Sequence, residues 1–195
     1  MGSWITLGVI ALIIVLAIVI YNRLITLKNR FKNAFAQIDV QLQRRHDLIP
    51  NLVETAKAYM THERETLTKV TEARAAAVSA KQAAKSNPDD PGAIAALGKA
   101  ESLLSGSLAN FFALSENYPE LRANETMSQL MEEISTTENR IGFARQAFND
   151  SVMDYNTYRE QFPNNFVAGM FGNFKAAELL KIETPEARQA PKVSF

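Results

Sequence analysis

The sequence predicts an all-α protein. An N-terminal transmembrane helix continues into an antiparallel up-down bundle of about four long helices. Three observations lead there. Glycine and proline are scarce, 8 and 7 in 195 residues, which suits long helices better than a turn-rich β fold. Apolar residues recur at alternating three- and four-residue spacing through most of the chain. The first 20 residues carry no charge at all.

Residues 1–21 form the membrane segment. Trp4 to Ile20 reads "WITLGVIALIIVLAIVI", which reaches about 25 Å as a helix, close to the thickness of a bilayer core. Trp4 and Tyr21 stand at its two ends, where amphipathic rings favour the interface. The stretch "MGSW" lacks the basic residue of a signal peptide and "AIVIYN" is a poor cleavage site, so the segment reads as an uncleaved anchor. Basic residues Arg23, Lys28, Arg30 and Lys32 follow it directly. The positive-inside rule then puts the N-terminus outside and the rest of the chain in the cytoplasm. The same four cations can hold anionic headgroups, each contributing about 1 kcal/mol. The span has no Gly-x-x-x-Gly pair to drive helix dimerisation.

Residues 22–162 form the bundle. Phe31, Phe35, Ile38 and Leu42 make one apolar helix face, with no breaker between it and the span. A second pattern runs from Ile49 through Leu52, Ala56, Met60, Leu67, Val70 and Ala77 to "KSNPDDPG". Asp90 as N-cap with Pro91 behind it starts the next helix, with Ile94, Leu97, Leu104, Leu108 and Phe111. "NYPELRAN", including Tyr118 and Pro119, stops that helix, and Asn124 caps the last one. The last helix has the most regular stripe, Met127 to Phe162, in a heptad seam. Residues 163–183 are an aromatic amphipathic tail that can wrap the bundle, lie on the membrane or meet a partner. Residues 184–195 read as disordered.

Pro50 decides the topology. As a mere kink it would leave one helix of about 65 residues, nearly 100 Å, against much shorter partners. A reversal near residues 44–47 gives helices of about 24, 39, 26 and 37 residues, which can close a bundle. Asp47 would then cap the second helix and Pro50 would sit in its first turn. Reversal is the expectation; a three-helix bundle kinked at Pro50 is the alternative.

The balance of Lys+Arg and Asp+Glu, 21 each, gives no pull toward nucleic acid. The absence of cysteine excludes disulfides, thiolate metal sites and cysteine nucleophiles. His46 and His62 are the only histidines, and neither belongs to a metalloprotease motif. "HERE" at 62–65 reads as a solvated turn. "GAIAALGKA" superficially resembles a phosphate loop, but its spacing is wrong and no strand precedes it. No cofactor, metal or catalytic constellation is expected, and the chain does not read as an enzyme. Three polar groups stand out instead. The first is Arg44, Arg45, His46 and Asp47 with Pro50 and Asn51. The second is Glu138, Asn139 and Arg140 with Arg145. The third is Asn149, Asp150, Tyr155 and Asn156. Capping, tethering and buried hydrogen bonding are the expected roles, with a protein partner as the alternative.

The motifs "QRRHDLIPNLVETAKAY", "YPELRANE", "TENRIGFARQAFNDSVMDYN" and "FPNNFVAGMFG", in that order behind a short span, resemble the bacterial LemA family. The resemblance covers nearly all of the chain after residue 20. Phe148 departs from it, standing where the family often carries tyrosine, and Glu125 stands where small or amide residues are common. The resemblance implies a single-pass inner-membrane protein with a helical cytoplasmic domain and a part in membrane organisation. It implies no reaction. The expected function is a self-associating, membrane-anchored scaffold; the alternative is an adaptor for a membrane protease or envelope-stress partner.

Overall fold

A computed structural model describes residues 2–182; the predicted disorder of 184–195 lies outside the described residues. The first element, α1 (Gly2–Lys57), is one unbroken helix of 56 residues, about 84 Å long at 1.5 Å per residue. Its first four turns are bare: Trp4, Leu12 and Leu16 are 81%, 69% and 48% exposed, so none of the described residues covers this apolar surface. From Ile20 onward one face is buried, through Leu24, Leu27, Phe31, Phe35, Ile38 and Leu42.

The chain does not reverse at 44–47. That expectation fails because the buried stripe runs straight through: Arg45, Ile49, Leu52 and Ala56 continue the register of Phe35, Ile38 and Leu42. Asp47 is therefore no cap. It lies exposed on the outer face and accepts a hydrogen bond from Gln43 Nε2 at 2.7 Å. Pro50 sits mid-helix, where its missing N–H deprives the carbonyl four residues back of its donor. That carbonyl belongs to His46, and Arg74 Nε donates to it at 2.6 Å. A neighbouring helix thus satisfies the group that proline orphans, which is why the helix survives. We predict a coupling here. Pro50→Ala restores the helical donor and stabilises the fold by about 1–3 kcal/mol. Arg74→Ala then costs at least about 1 kcal/mol more in the Pro50 chain than in the alanine chain. A double-mutant cycle in urea measures this; zero coupling would refute the compensation.

The turn comes later, at residues 58–63, and "HERE" straddles it: His62 is exposed and Arg64 begins the next helix. Then follow α2 (Arg64–Ser86), α3 (Pro91–Ser115), α4 (Pro119–Ala123), α5 (Glu125–Glu160) and α6 (Asn164–Phe171). Moving the turn shortens the second helix to 23 residues. The architecture remains an up-down bundle of four long helices, α1, α2, α3 and α5. The capping signals read correctly. Asp90 accepts from Gly92 N at 3.0 Å with Pro91 behind it, and Asn124 accepts from Met127 N at 2.9 Å. Pro119 does not merely stop α3; it opens the single turn α4, whose Leu121 is buried.

α1 packs along α5, and α2 packs on α3 and α1. The α5 seam is consumed within the chain: Ile141, Phe148, Val152 and Tyr155 join one core with Phe31 and Phe35. A second core lies further along, around Ile49, Leu52, Met60, Leu104, Phe111 and Ile134. At the far end Tyr118 donates to Glu63 at 3.1 Å, and Asn124 Nδ2 donates to the Tyr59 hydroxyl at 3.2 Å. At the end nearer the span, Lys28 and Lys32 reach Asp89 at 2.8 and 3.3 Å. The bond from Lys28 holds that carboxyl below its usual range, against partial burial. The motif residues thus tie the corners of the bundle.

Candidate functional site

Between the two apolar cores lies a layer of charge. Arg45 and His46, adjacent on α1, both turn inward and are fully buried. α3 brings Glu101, also fully buried, and α5 brings Glu138. Arg45 bridges the two carboxylates and also donates to Ser105 Oγ at 3.2 Å. His46 Nε2 lies 3.0 Å from Glu101 Oε1. A carboxylate only accepts, so Nε2 carries the proton there. Burial alone would push the Glu101 carboxyl up. The hydrogen bond from His46 and the Arg45 guanidinium outweigh it and hold the group below its ordinary range. Glu101 is thus ionised at neutral pH and fully engaged. Arg45 Nε and His46 Nδ1 have no hydrogen-bond partner among the described residues. The Arg45 guanidinium and the Glu101 and Glu138 carboxylates face one another, which makes a structural clamp across α1, α3 and α5. Arg44 and Asp47, the outer members of the quartet, point to solvent; Arg44 lies 3.7 Å from Glu133.

The second arrangement explains the asparagine ladder. After α6, Gly172 adopts φ +63°, the left-handed conformation that ends a helix, and residues 173–182 run extended along the bundle. Asn156 Nδ2 donates to the Ala177 carbonyl at 2.8 Å, and its Oδ1 accepts from Ala177 N at 3.0 Å. Asn149 repeats this on Leu180, at 3.2 and 2.9 Å. The spacing is dictated by geometry. Seven residues of helix and three of extended chain both advance about 10 Å, so two asparagines two turns apart meet two backbone amides three residues apart. Arg145 donates to the Ile182 carbonyl at 2.6 Å and the Tyr155 hydroxyl to Lys175 O at 2.9 Å. Burial raises the Tyr155 hydroxyl to about 12, so it stays a donor at any physiological pH. The tail passes so close to α3 that a β-carbon on Gly98 would overlap the Lys181 carbonyl. That is the role of the second glycine in "GAIAALGKA".

The structure therefore splits the residues singled out from sequence. Arg45, His46 and Glu138 form the charge layer. Arg145, Asn149, Tyr155 and Asn156 form the tail-binding face. Tyr118 and Asn124 tie the distal corner. Asn51, Asn139 and Arg140 are exposed and join neither arrangement. Glu101 and Arg74 escaped notice, although Glu101 fills the gap between Leu97 and Leu104 at a core position of α3.

A sequence model of the LemA family matches residues 34–195. The chain belongs to the LemA family. The match opens inside α1 and takes in both arrangements. Among LemA-like relatives, the magnetosome protein MamQ of Magnetospirillum gryphiswaldense is 26% identical, over 81% of this chain. Two magnetosome proteins of Paramagnetospirillum magneticum, MamQ 1 and MamQ 2, match to the same extent. The chain spans 63% of the length of these relatives.

Proposed function

We propose that this LemA-family protein is a membrane-anchored helical scaffold that self-associates and organises the membrane it sits in, with no catalytic activity of its own. The observation that carries this reading is α1. One helix runs from a bare apolar stretch, long enough to cross a bilayer, into the core of the domain. It fixes the domain relative to the membrane with no hinge. The relatives' names make them magnetosome proteins, which supports a membrane-associated reading of this chain. The buried charges neutralise one another, which favours an architectural role over a chemical one. The α5 seam is spent on α1, so self-association would use other surfaces, among which Val40, Phe143 and Met153 are exposed apolar side chains.

On this reading the protein sits in a bacterial inner membrane, as the LemA resemblance implies, and the basic residues after the span support an outward N-terminus and a cytoplasmic domain. Arg23 remains exposed for anionic lipid; Arg30 is exposed but pairs with Asp154 at 3.4 Å, and Lys28 and Lys32 are engaged with Asp89. A C-terminal alkaline phosphatase fusion should be inactive, and strong activity would overturn this orientation. The detergent-extracted protein should run larger than its monomer mass of 21.7 kDa plus bound detergent; a monomer at every concentration would refute self-association. The adaptor reading has one observation in its favour, an open groove of about 540 Å³ at the distal corner lined by Val53, Lys57, Met60, Arg64 and Leu67. Crosslinking in cells that recovers a distinct protein through this groove would favour it.

A further inference from the structure

The helix α6 presents an uncovered apolar face where the span enters the domain. Val167 and Ala168 are buried and share a core with Ile20, Leu24 and the partly buried Ala17. The opposite side is bare: Phe166 and Met170 are 67% and 78% exposed, and Phe162 just before the helix is 80% exposed. From Gln161 to Asn173 there is no charged residue, so nothing on this side prefers water strongly.

Its level along α1 identifies what covers it. Ala17 and Ile20 belong to the last turns of the apolar span, and they are its first residues to be covered by the domain. Tyr21, at the end of that span, packs edge-on against Phe171 and Phe174, with ring centroids at 4.9 and 5.4 Å. Ala17 lies about 6 Å along the helix axis on the membrane side of Tyr21. A helix packed at that depth, with large apolar side chains on its free face, fits the headgroup–acyl boundary, where such helices sink about 5–10 Å. Aromatic rings favour that boundary.

We propose that α6 is an interfacial helix that inserts Phe162, Phe166 and Met170 into the same bilayer that α1 crosses, making a second membrane contact beside the span. This rests on the membrane-anchored reading above. It gives the tail a further role: residues 173–182, clamped on α5, hold α6 against the base of α1 and so fix how the bundle sits on the lipid surface.

The chain has no cysteine, so single nitroxide labels are simple to place. The full-length protein would be reconstituted into vesicles of phosphatidylethanolamine and phosphatidylglycerol, carrying in turn Phe166→Cys, Met170→Cys, Leu12→Cys and Arg140→Cys. Accessibility to oxygen and to a water-soluble nickel chelate is then read by electron paramagnetic resonance. The expected result is lipid-type accessibility, oxygen over nickel, at 12, 166 and 170, shallower at the last two, with water-type accessibility at 140. Water-type accessibility at 166 and 170 with lipid at 12 would overturn the α6 proposal and leave the anchor standing. Low accessibility to both reagents at 166 and 170 would mean a protein surface covers this face, and would overturn it too. Water-type accessibility at 12 would remove the anchor, and the proposal with it.

Discussion

Replacing Arg45 with alanine is expected to destabilise the domain by about 3–5 kcal/mol, the cost of leaving a buried charge without its partner. Arg45 is completely enclosed and bridges Glu101 and Glu138. Without it, Glu101 keeps only the His46 hydrogen bond in a layer sealed by apolar cores on both sides. Replacing the group as a whole should be far milder. A chain carrying Arg45→Met, His46→Leu, Glu101→Leu and Glu138→Leu recovers most of the loss, because fitted apolar side chains carry no desolvation penalty. The layer's contribution is register: it lets α1, α3 and α5 meet at one level only. It also sets an acid limit. Glu101 has a folded pKa below its ordinary value of 4.5. Its contribution is therefore complete above that value and fades as the pH falls toward the folded pKa. Glu101→Gln should lower stability at neutral and alkaline pH and thereby flatten this acid limb. Urea unfolding across pH measures all three; an Arg45→Ala chain as stable as the parent would refute the clamp.

Substituting Asn149 and Asn156 together with leucine should release the tail and leave the bundle folded. Each asparagine satisfies both the backbone donor and the backbone acceptor of one tail residue. Leucine satisfies neither, and an unpaired buried group costs about 1–3 kcal/mol. Phe174 and Leu180 still favour docking through apolar burial, yet a ten-residue extended segment carries a large ordering cost. Hydrogen exchange at the Ala177 and Leu180 amides should quicken about a hundredfold, the equivalent of about 2–3 kcal/mol. Amides within α5 should hold their protection. Gly98→Leu should act in the same direction by pushing the Lys181 backbone off α3. Unchanged exchange in both variants would mean that the apolar contacts alone hold the tail.

The fold was legible wherever a residue signalled through local geometry. Asp90 with Pro91 and Asn124 mark helix starts because a cap is satisfied within three residues. The helical continuation of the span was legible from the absence of any breaker. Pro50 misled because its local rule, a lost hydrogen bond, is offset by Arg74 on α2, 28 residues from the His46 carbonyl that it satisfies. A signal against reversal was present all the same. Leu42, Arg45, Ile49, Leu52 and Ala56 keep one register across the proline, and a turn would have reset it. It went unread because Arg45 occupies an apolar position. Glu101 hid on α3 in the same way. Two opposite charges on the core positions of two helices are each other's explanation, which neither helix shows alone. The asparagines of α5 were noticed, but their partners are main-chain atoms of residues 177 and 180, which no side-chain pattern advertises.

The continuity of α1 underlies the anchored, hinge-free domain, and one distance tests it. Nitroxides on Arg23→Cys and Glu54→Cys, both at exposed positions of α1, can be measured by double electron–electron resonance with the full chain in lipid nanodiscs. An unbroken helix places them about 46 Å apart. A chain that turned back at residues 44–47 would bring them to about 20–25 Å. A distribution centred near the longer distance is the predicted result, and one centred near the shorter would contradict the architecture described for this protein.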